Sequence, residues 1–252
     1  MRDPRELAGA WSAFQRHGSA PPSPALDGVV ARSWWATWDL TGQPDYRQLL
    51  PPSPSVQLTF PTDGEPLLRG VHRRHFARIL SGAGGVLGVA FVPGAFRRFL
   101  DAPVSSLTDR TVPAASVFGP LPPVPPGDTA TADAFLAARL PPPDPTGDTV
   151  AVWVHLAATT PDLRRVDDYA PACGVGVRQL QRLFAEHVGV SPKWLLRRFR
   201  LREVTDTLAA APGAPVDWAG LAADLGYVDQ AHLSRDFAAM FGEPPTTYAA
   251  RY

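Results

Sequence analysis

One pattern, Leu-x-Arg-x-Phe-Ala-x-x-x-Gly-x-x-Pro, is written twice in this chain, as LQRLFAEHVGVSP at 180–192 and as LSRDFAAMFGEPP at 233–245. Two copies cannot form a solenoid, which needs at least three repeats to bury a continuous core. The chain must therefore hold two similar small units. Around the copies the apolar residues Val177, Leu180, Phe184 and Val188, and then Leu233, Phe237, Met240 and Phe241, recur at three- to four-residue spacing. That period predicts two amphipathic helices. Their outward faces carry Arg178, Gln181, Arg182 and Ala185 in the first, and Gln230, Ala231, Ser234 and Arg235 in the second.

The segments ahead of these helices, VDDYAPACGVG and WAGLAADLGYVD, each read as a short helix with a small residue (Ala170, Ala222) and a turn glycine (Gly174, Gly226). A short helix, a glycine turn and an exposed helix make a helix-turn-helix, whose second helix enters the DNA major groove. Arginine suits guanine O6/N7 and glutamine suits adenine N6/N7, so Arg178, Gln181, Arg182, Gln230, Ser234 and Arg235 are candidate base readers. Ala231 offers only a methyl, which suits thymine. Between the units, 191–211 reads as one helix with Ser191 as N-cap and Pro192 at the first helical position. It would span about 30 Å, against roughly 34 Å between successive major-groove faces. One chain could thus read two adjacent grooves. Asp229 is the expected cap of the second reading helix, whereas Gly176, at the start of the first, has no side-chain acceptor.

Charge agrees in a local way. The chain is formally neutral, with 24 Lys+Arg against 24 Asp+Glu, so a generally basic footprint is absent. From Leu163 to Arg202, however, nine cationic residues face three acidic ones, and beyond Arg202 seven acidic residues face two arginines. Phosphate contact is expected near the first unit, from Lys193, Arg197, Arg198 and Arg202. These arginines and Arg200 leave one helix at several angles, so some should pair within the protein instead.

About the last hundred residues resemble the DNA-binding domain of AraC/XylS-type transcription regulators, through LQRLF, GVSPKWLLRRFRL, LAADLGYVDQAHLSRDF and FGEPPTTY. The resemblance implies two helix-turn-helix units joined by a long helix. It also implies base contacts at Arg178, Gln181 and Arg182 and at Gln230, Ala231, Ser234 and Arg235. The partner is then double-stranded DNA, activation is the commoner outcome, and RNA polymerase, a small-molecule effector and a second copy of the chain are the further partners to consider. Through WWATWDL, GVLGVAFVPGAFRRFL and PVSSLTDR the front half more weakly resembles a β-rich sensor domain of uncertain function found ahead of such units. That implies a cupin-like barrel.

The residues of the front half support a separate domain. VVARSWWATWDL, SVQLTF, LLRGVHRRHF and GVLGVAFVP are strand-like runs between Pro and Gly breaks, and GAFRRFL reads as a single helix. PLPPVPPGD, the helix-like TATADAFLAARL and PPPDPTGD then mark a boundary. The expected fold is α+β: a β-rich sensing or dimerisation domain at 1–128, a helical and Pro-rich linker at 129–147, and an all-α double helix-turn-helix domain at 148–252. Trp34, Trp35 and Trp38 are candidates for an effector pocket, although strand tryptophans are more often core. His72 and His75, three apart in a strand, would point to opposite faces, which argues against a metal site. Cys173 reads as a small buried residue. No cofactor is expected. No run is long and apolar enough for a membrane span, and the amino terminus lacks the apolar region of a secretion signal, so a cytoplasmic protein is expected. The rival reading, a cupin-like metal-dependent enzyme with accessory helices, needs a facial set of two histidines and a carboxylate. The front half offers only His17, His72 and His75, without a matching motif.

Overall fold

The computed structural model describes residues 11–211 and 213–250; the first ten residues of the amino terminus, read above for a secretion signal, and Arg251, one of the two arginines beyond Arg202, lie outside them. A single-turn helix α1 (Trp11–Phe14) leads into the strands β1 (Gln15–Ala20), β2 (Val30–Asp39), β3 (Tyr46–Leu50), β4 (Gln57–Pro61), β5 (Leu67–Arg69), β6 (Phe76–Leu80), β7 (Ala83–Phe91) and β8 (Thr111–Pro113). Six of them form an antiparallel sheet in the order β1-β2-β7-β4-β5-β8, while β3 and β6 pair as a separate ribbon. The sheet keeps two edges, β1 and β8, so the domain is β-rich as expected but is not a closed barrel. LLRGVHRRHF is not one strand: it splits into β5 and the start of β6, and the histidines lie in the loop between or at its end.

The three tryptophans of β2 explain the glycines beside them. In the register, Trp34 faces Gly88, Trp38 faces Gly84 and Trp35 faces Gly18. A Cβ on Gly88 would stand 2.3 Å from the Trp34 ring, and one on Gly18 would stand 2.3 Å from that of Trp35. Each ring therefore lies across a strand where a side chain would otherwise be, a cross-strand pairing in which an aromatic covers a bare glycine. Alternation sends Trp34 and Trp38 to one face and Trp35 to the other.

Behind the sheet, Leu58, Leu68, Leu87, Phe91 and Phe96 are fully buried, and Phe91 meets Phe96 edge-on at 4.6 Å. GAFRRFL forms a 3-10 turn, Ala95–Phe99, that feeds this core. A short helix α2 (Ala115–Phe118) is followed by α3 (Thr129–Ala137), capped by Asp128 through the Thr131 N–H at 3.1 Å. Ala132, Phe135 and Leu136 of α3 belong to the same core. Residues 129–137 are thus part of the front domain rather than a linker, because their apolar face completes its sheet packing.

The remaining helices are α4 (Pro145–Thr159), α5 (Val166–Ala172), α6 (Val177–His187), α7 (Pro192–Ala210), α8 (Trp218–Asp224), α9 (Gln230–Phe241) and α10 (Pro245–Ala249). They bury two separate cores, one around Trp153, Tyr169, Leu180 and Phe184, the other around Val204, Leu233, Phe237 and Phe241. Trp194 of α7 packs against both. None of the described helices is long and apolar enough to cross a membrane.

The front domain and the helices share a polar seam. Arg97 pairs with Glu186, Arg98 with Asp148 at 3.1 Å, and the Thr108 hydroxyl donates to the Gly189 carbonyl. Farther along, the Trp194 indole donates to the Arg73 carbonyl at 3.0 Å and the His75 N–H to the Met240 carbonyl at 3.0 Å.

Candidate nucleic-acid interface

The two units have the same turn. Gly174 and Gly226 both have φ 71, a left-handed conformation that glycine adopts without steric cost. Gly174 donates to the Pro171 carbonyl and Gly226 to the Ala223 carbonyl, each at 2.9 Å. The next N–H, of Val175 or Tyr227, reaches back to the carbonyl of Ala170 or Ala222 at 3.1 and 2.8 Å. Ala170 and Ala222 are fully buried where the two helices of each unit meet. Any larger side chain there would push the reading helix outward.

The reading helices are held by their apolar stripes. Leu180, Phe184, Leu233 and Phe237 have no exposed surface, and Phe184 meets Tyr169 edge-on at 6.0 Å while Phe237 stacks on Phe241 at 4.3 Å. Tyr169, whose hydroxyl donates to the Trp153 carbonyl at 2.6 Å, has its pKa pushed up by burial first and by Cys173 second. Asp229 caps α9 by accepting the His232 N–H at 2.6 Å, and Ser191 caps α7 by accepting the Trp194 N–H at 3.2 Å. Gly176 precedes α6 in extended backbone with no side-chain cap.

Arg178, Gln181 and Arg182 are exposed on α6, and Gln230, Ala231 and Arg235 on α9; Ser234 is half-buried. The outward faces thus carry these side chains on the helix that follows each turn. His232 instead packs edge-on against Tyr227 at 5.0 Å. Val228, absent from the sequence-based set, is 89% exposed directly ahead of the Asp229 cap.

The cations of α7 divide. Lys193 and Arg202 are exposed, Arg202 pairing with Asp206 at 3.2 Å along the helix. Arg197 instead pairs with Asp236 of α9 at 2.9 Å, and Arg200 donates to the Arg164 carbonyl at 3.0 Å. Arg198 is turned to the front domain, its Nε donating to the Pro52 carbonyl at 2.7 Å, and burial lowers its pKa to about 10. In this arrangement Arg197 and Arg198 do not present free guanidinium groups, because their angles on α7 aim them at α9 and at the front sheet.

Of the tryptophans expected at an effector pocket, only Trp34 lines a sizeable cavity, between the sheet and α7. Trp38 is buried and donates to the Ser81 carbonyl at 3.3 Å, and Trp35 covers Gly18 on the other face. Pairing with glycine, not a common pocket, is what the three share. Cys173 is half-buried, and burial raises its pKa to about 11, which suits a packing role better than thiolate chemistry.

Residues 169–251 match the family model of a helix-turn-helix domain. The carboxy-terminal third is a helix-turn-helix domain. Residues 19–113 match a domain of unknown function, DUF6597. No curated protein matches the chain. Among solved structures, a transcriptional regulator with an AraC-type DNA-binding domain from Chromobacterium violaceum is 23% identical, covering 41% of this chain and 90% of its own, at a TM-score of 0.37. ToxT from Vibrio cholerae is 9% identical over 94% of this chain and 98% of its own, at a TM-score of 0.44. CdpR from Pseudomonas aeruginosa is 15% identical over 67% of this chain and 46% of its own, at 0.34. The matched region spans both turns, both reading helices and all of α7, so the repeated phrase and the helix between its copies fall within one helix-turn-helix domain.

Proposed function

We propose that this protein is a sequence-specific transcription regulator that reads two adjacent major grooves with α6 and α9, its front domain modulating that reading through a small ligand. What carries the proposal is the repetition of one turn geometry, each followed by an outward face of Arg, Gln and small residues, on either side of α7 in the chain. A 19-residue helix spans about 28 Å, comparable with the roughly 34 Å between successive groove faces of one DNA side. Arg178, Gln181 and Arg182 read one half-site, and Gln230, Ala231, Ser234 and Arg235 the other. Val228 adds an apolar contact suited to a thymine methyl. Lys193, Arg202 and the N-termini of the reading helices anchor phosphates. Arg197 and Arg198 join them only after leaving their present partners.

The test is selection of bound sequences from a random duplex library by the full chain at physiological salt. Two short preferred blocks about one helical turn apart are expected. Recovery of a single block, or of no sequence preference, would overturn the two-groove assignment.

A further inference from the structure

Where the front sheet faces α7, the chain lines a cavity of about 600 Å³ that opens to solvent, within the range of about 300–1,000 Å³ that holds small organic ligands. Its charge is one-sided. Arg32, Arg69 and Arg78 line it from the front domain and Arg198 and Arg202 from α7, while no aspartate or glutamate is among its described lining residues. Trp34, Phe76 and Phe199 supply apolar wall between the guanidinium groups.

Most of this charge is poorly balanced within the protein. Arg32, Arg69 and Arg198 have no carboxylate partner among the described residues, and Arg78 reaches Asp63 only at 3.7 Å. Arg69 lies over the Phe76 ring at 5.2 Å. Arg198 spends its Nε on Pro52, and its Nη1 is enclosed without a hydrogen-bond partner. Burial pulls the pKa of Arg69 down, with the charge of Arg78 acting in the same sense, and burial does the same to Arg198. Arg202 keeps Asp206 at 3.2 Å, whose charge also acts on Arg198, but five guanidinium groups around a partly desolvated space with so little counter-charge are unfavourable, and a group supplying charge-assisted hydrogen bonds relieves that cost.

We propose that this cavity is the binding site of a small organic anion, a carboxylate or sulfonate head on an aromatic or aliphatic body. The head pairs with Arg69 and Arg198, and the body lies against Trp34, Phe76 and Phe199. The ligand would touch the front domain and the helix that joins the two reading units at once. Binding stands on the cavity alone; only its effect on DNA reading rests on the function proposed above.

The test uses the full chain without DNA and two dyes that share one ring system. Anilinonaphthalene sulfonate carries the anionic head, and phenylnaphthylamine is its neutral counterpart. Fluorescence titration should show saturable binding of the sulfonate at least about tenfold tighter than that of the neutral dye. Arg69→Gln should erase that preference and Arg69→Lys should keep most of it. Equal binding of the two dyes by the unaltered chain, or a preference that survives Arg69→Gln, would overturn the proposal. The dye pair on the unaltered chain decides even if Arg69→Gln does not fold. Equal dye binding beside intact two-block DNA selection sinks only the cavity assignment, and the reverse pair of results sinks only the DNA assignment.

Discussion

Arg182 and Arg235 stand at the same place in the repeated phrase, two residues after the buried leucine of each reading helix, and both are exposed. A side chain there is open to solvent and needs no change in the helix that carries it to meet a partner. Arg182→Ala and Arg235→Ala should each cost roughly 1–3 kcal/mol on the preferred site and relax sequence choice in separate half-sites. Quantitative binding to a panel of single-base variants checks this, and an even loss across all sequences for both would refute base reading by these residues. Gly176 poses the opposite kind of question. Its backbone is already extended, and a Cβ there would meet nothing within 4 Å. Gly176→Ser should therefore stabilise the chain by about 0.5–1 kcal/mol, by adding the missing cap acceptor and reducing the freedom of the unfolded chain. A urea midpoint that does not rise would mean that the first turn of α6 is satisfied by water alone.

At the level of elements, the second unit has its own core, with Phe237 stacked on Phe241 and edge-on to Tyr248 at 5.5 Å. Phe237→Ala should cost about 3–5 kcal/mol and loosen α8, α9 and α10 while the first unit stays protected. Hydrogen exchange would show the loss confined to residues 218–249; equal loss around Phe184 would mean that α7 couples the two cores into one. These helices were legible in the sequence because their causes are local: an apolar stripe, a cap at Ser191 or Asp229, a glycine at each turn. Strands β2, β4 and β7 were legible too, as runs of β-branched and aromatic residues. Strand β1, with Gly18 and His17 in it, has little strand propensity of its own, and its pairing with β2 through Trp35 imposes the conformation. The placement of α3 was hidden for a related reason. Proline-rich segments flank it, and only the tertiary packing of Phe135 and Leu136 shows which domain it completes. Similarly, no periodicity told that Arg198 would turn to Pro52 and away from DNA, since that depends on where the front sheet lies.

For the whole molecule, the seam between the front domain and the helices carries a buried imidazole, His187, and a half-buried one, His75. His187 sits at the end of α6 with its Nδ1 3.4 Å from Asp144, which caps α4, and it makes no hydrogen bond there. Burial lowers its pKa below the ordinary 6.5 more strongly than Asp144 and Glu186 raise it, with Arg97 and Arg182 adding to the lowering. His75, whose backbone N–H holds Met240, is likewise lowered, by burial first and then by Arg47. The folded chain therefore resists a proton that the unfolded chain accepts. Stability from these groups is complete above the unfolded value of 6.5 and is lost as pH falls through that value toward the lower folded ones. Urea unfolding between about pH 7.5 and about pH 5.5 should show stability falling on acidification. His187→Gln should flatten part of that slope, because a neutral amide occupies the place beside Asp144 and takes up no proton. A slope unchanged in His187→Gln would assign the acid sensitivity to His75, and stability that rises on acidification would refute the burial argument for both histidines.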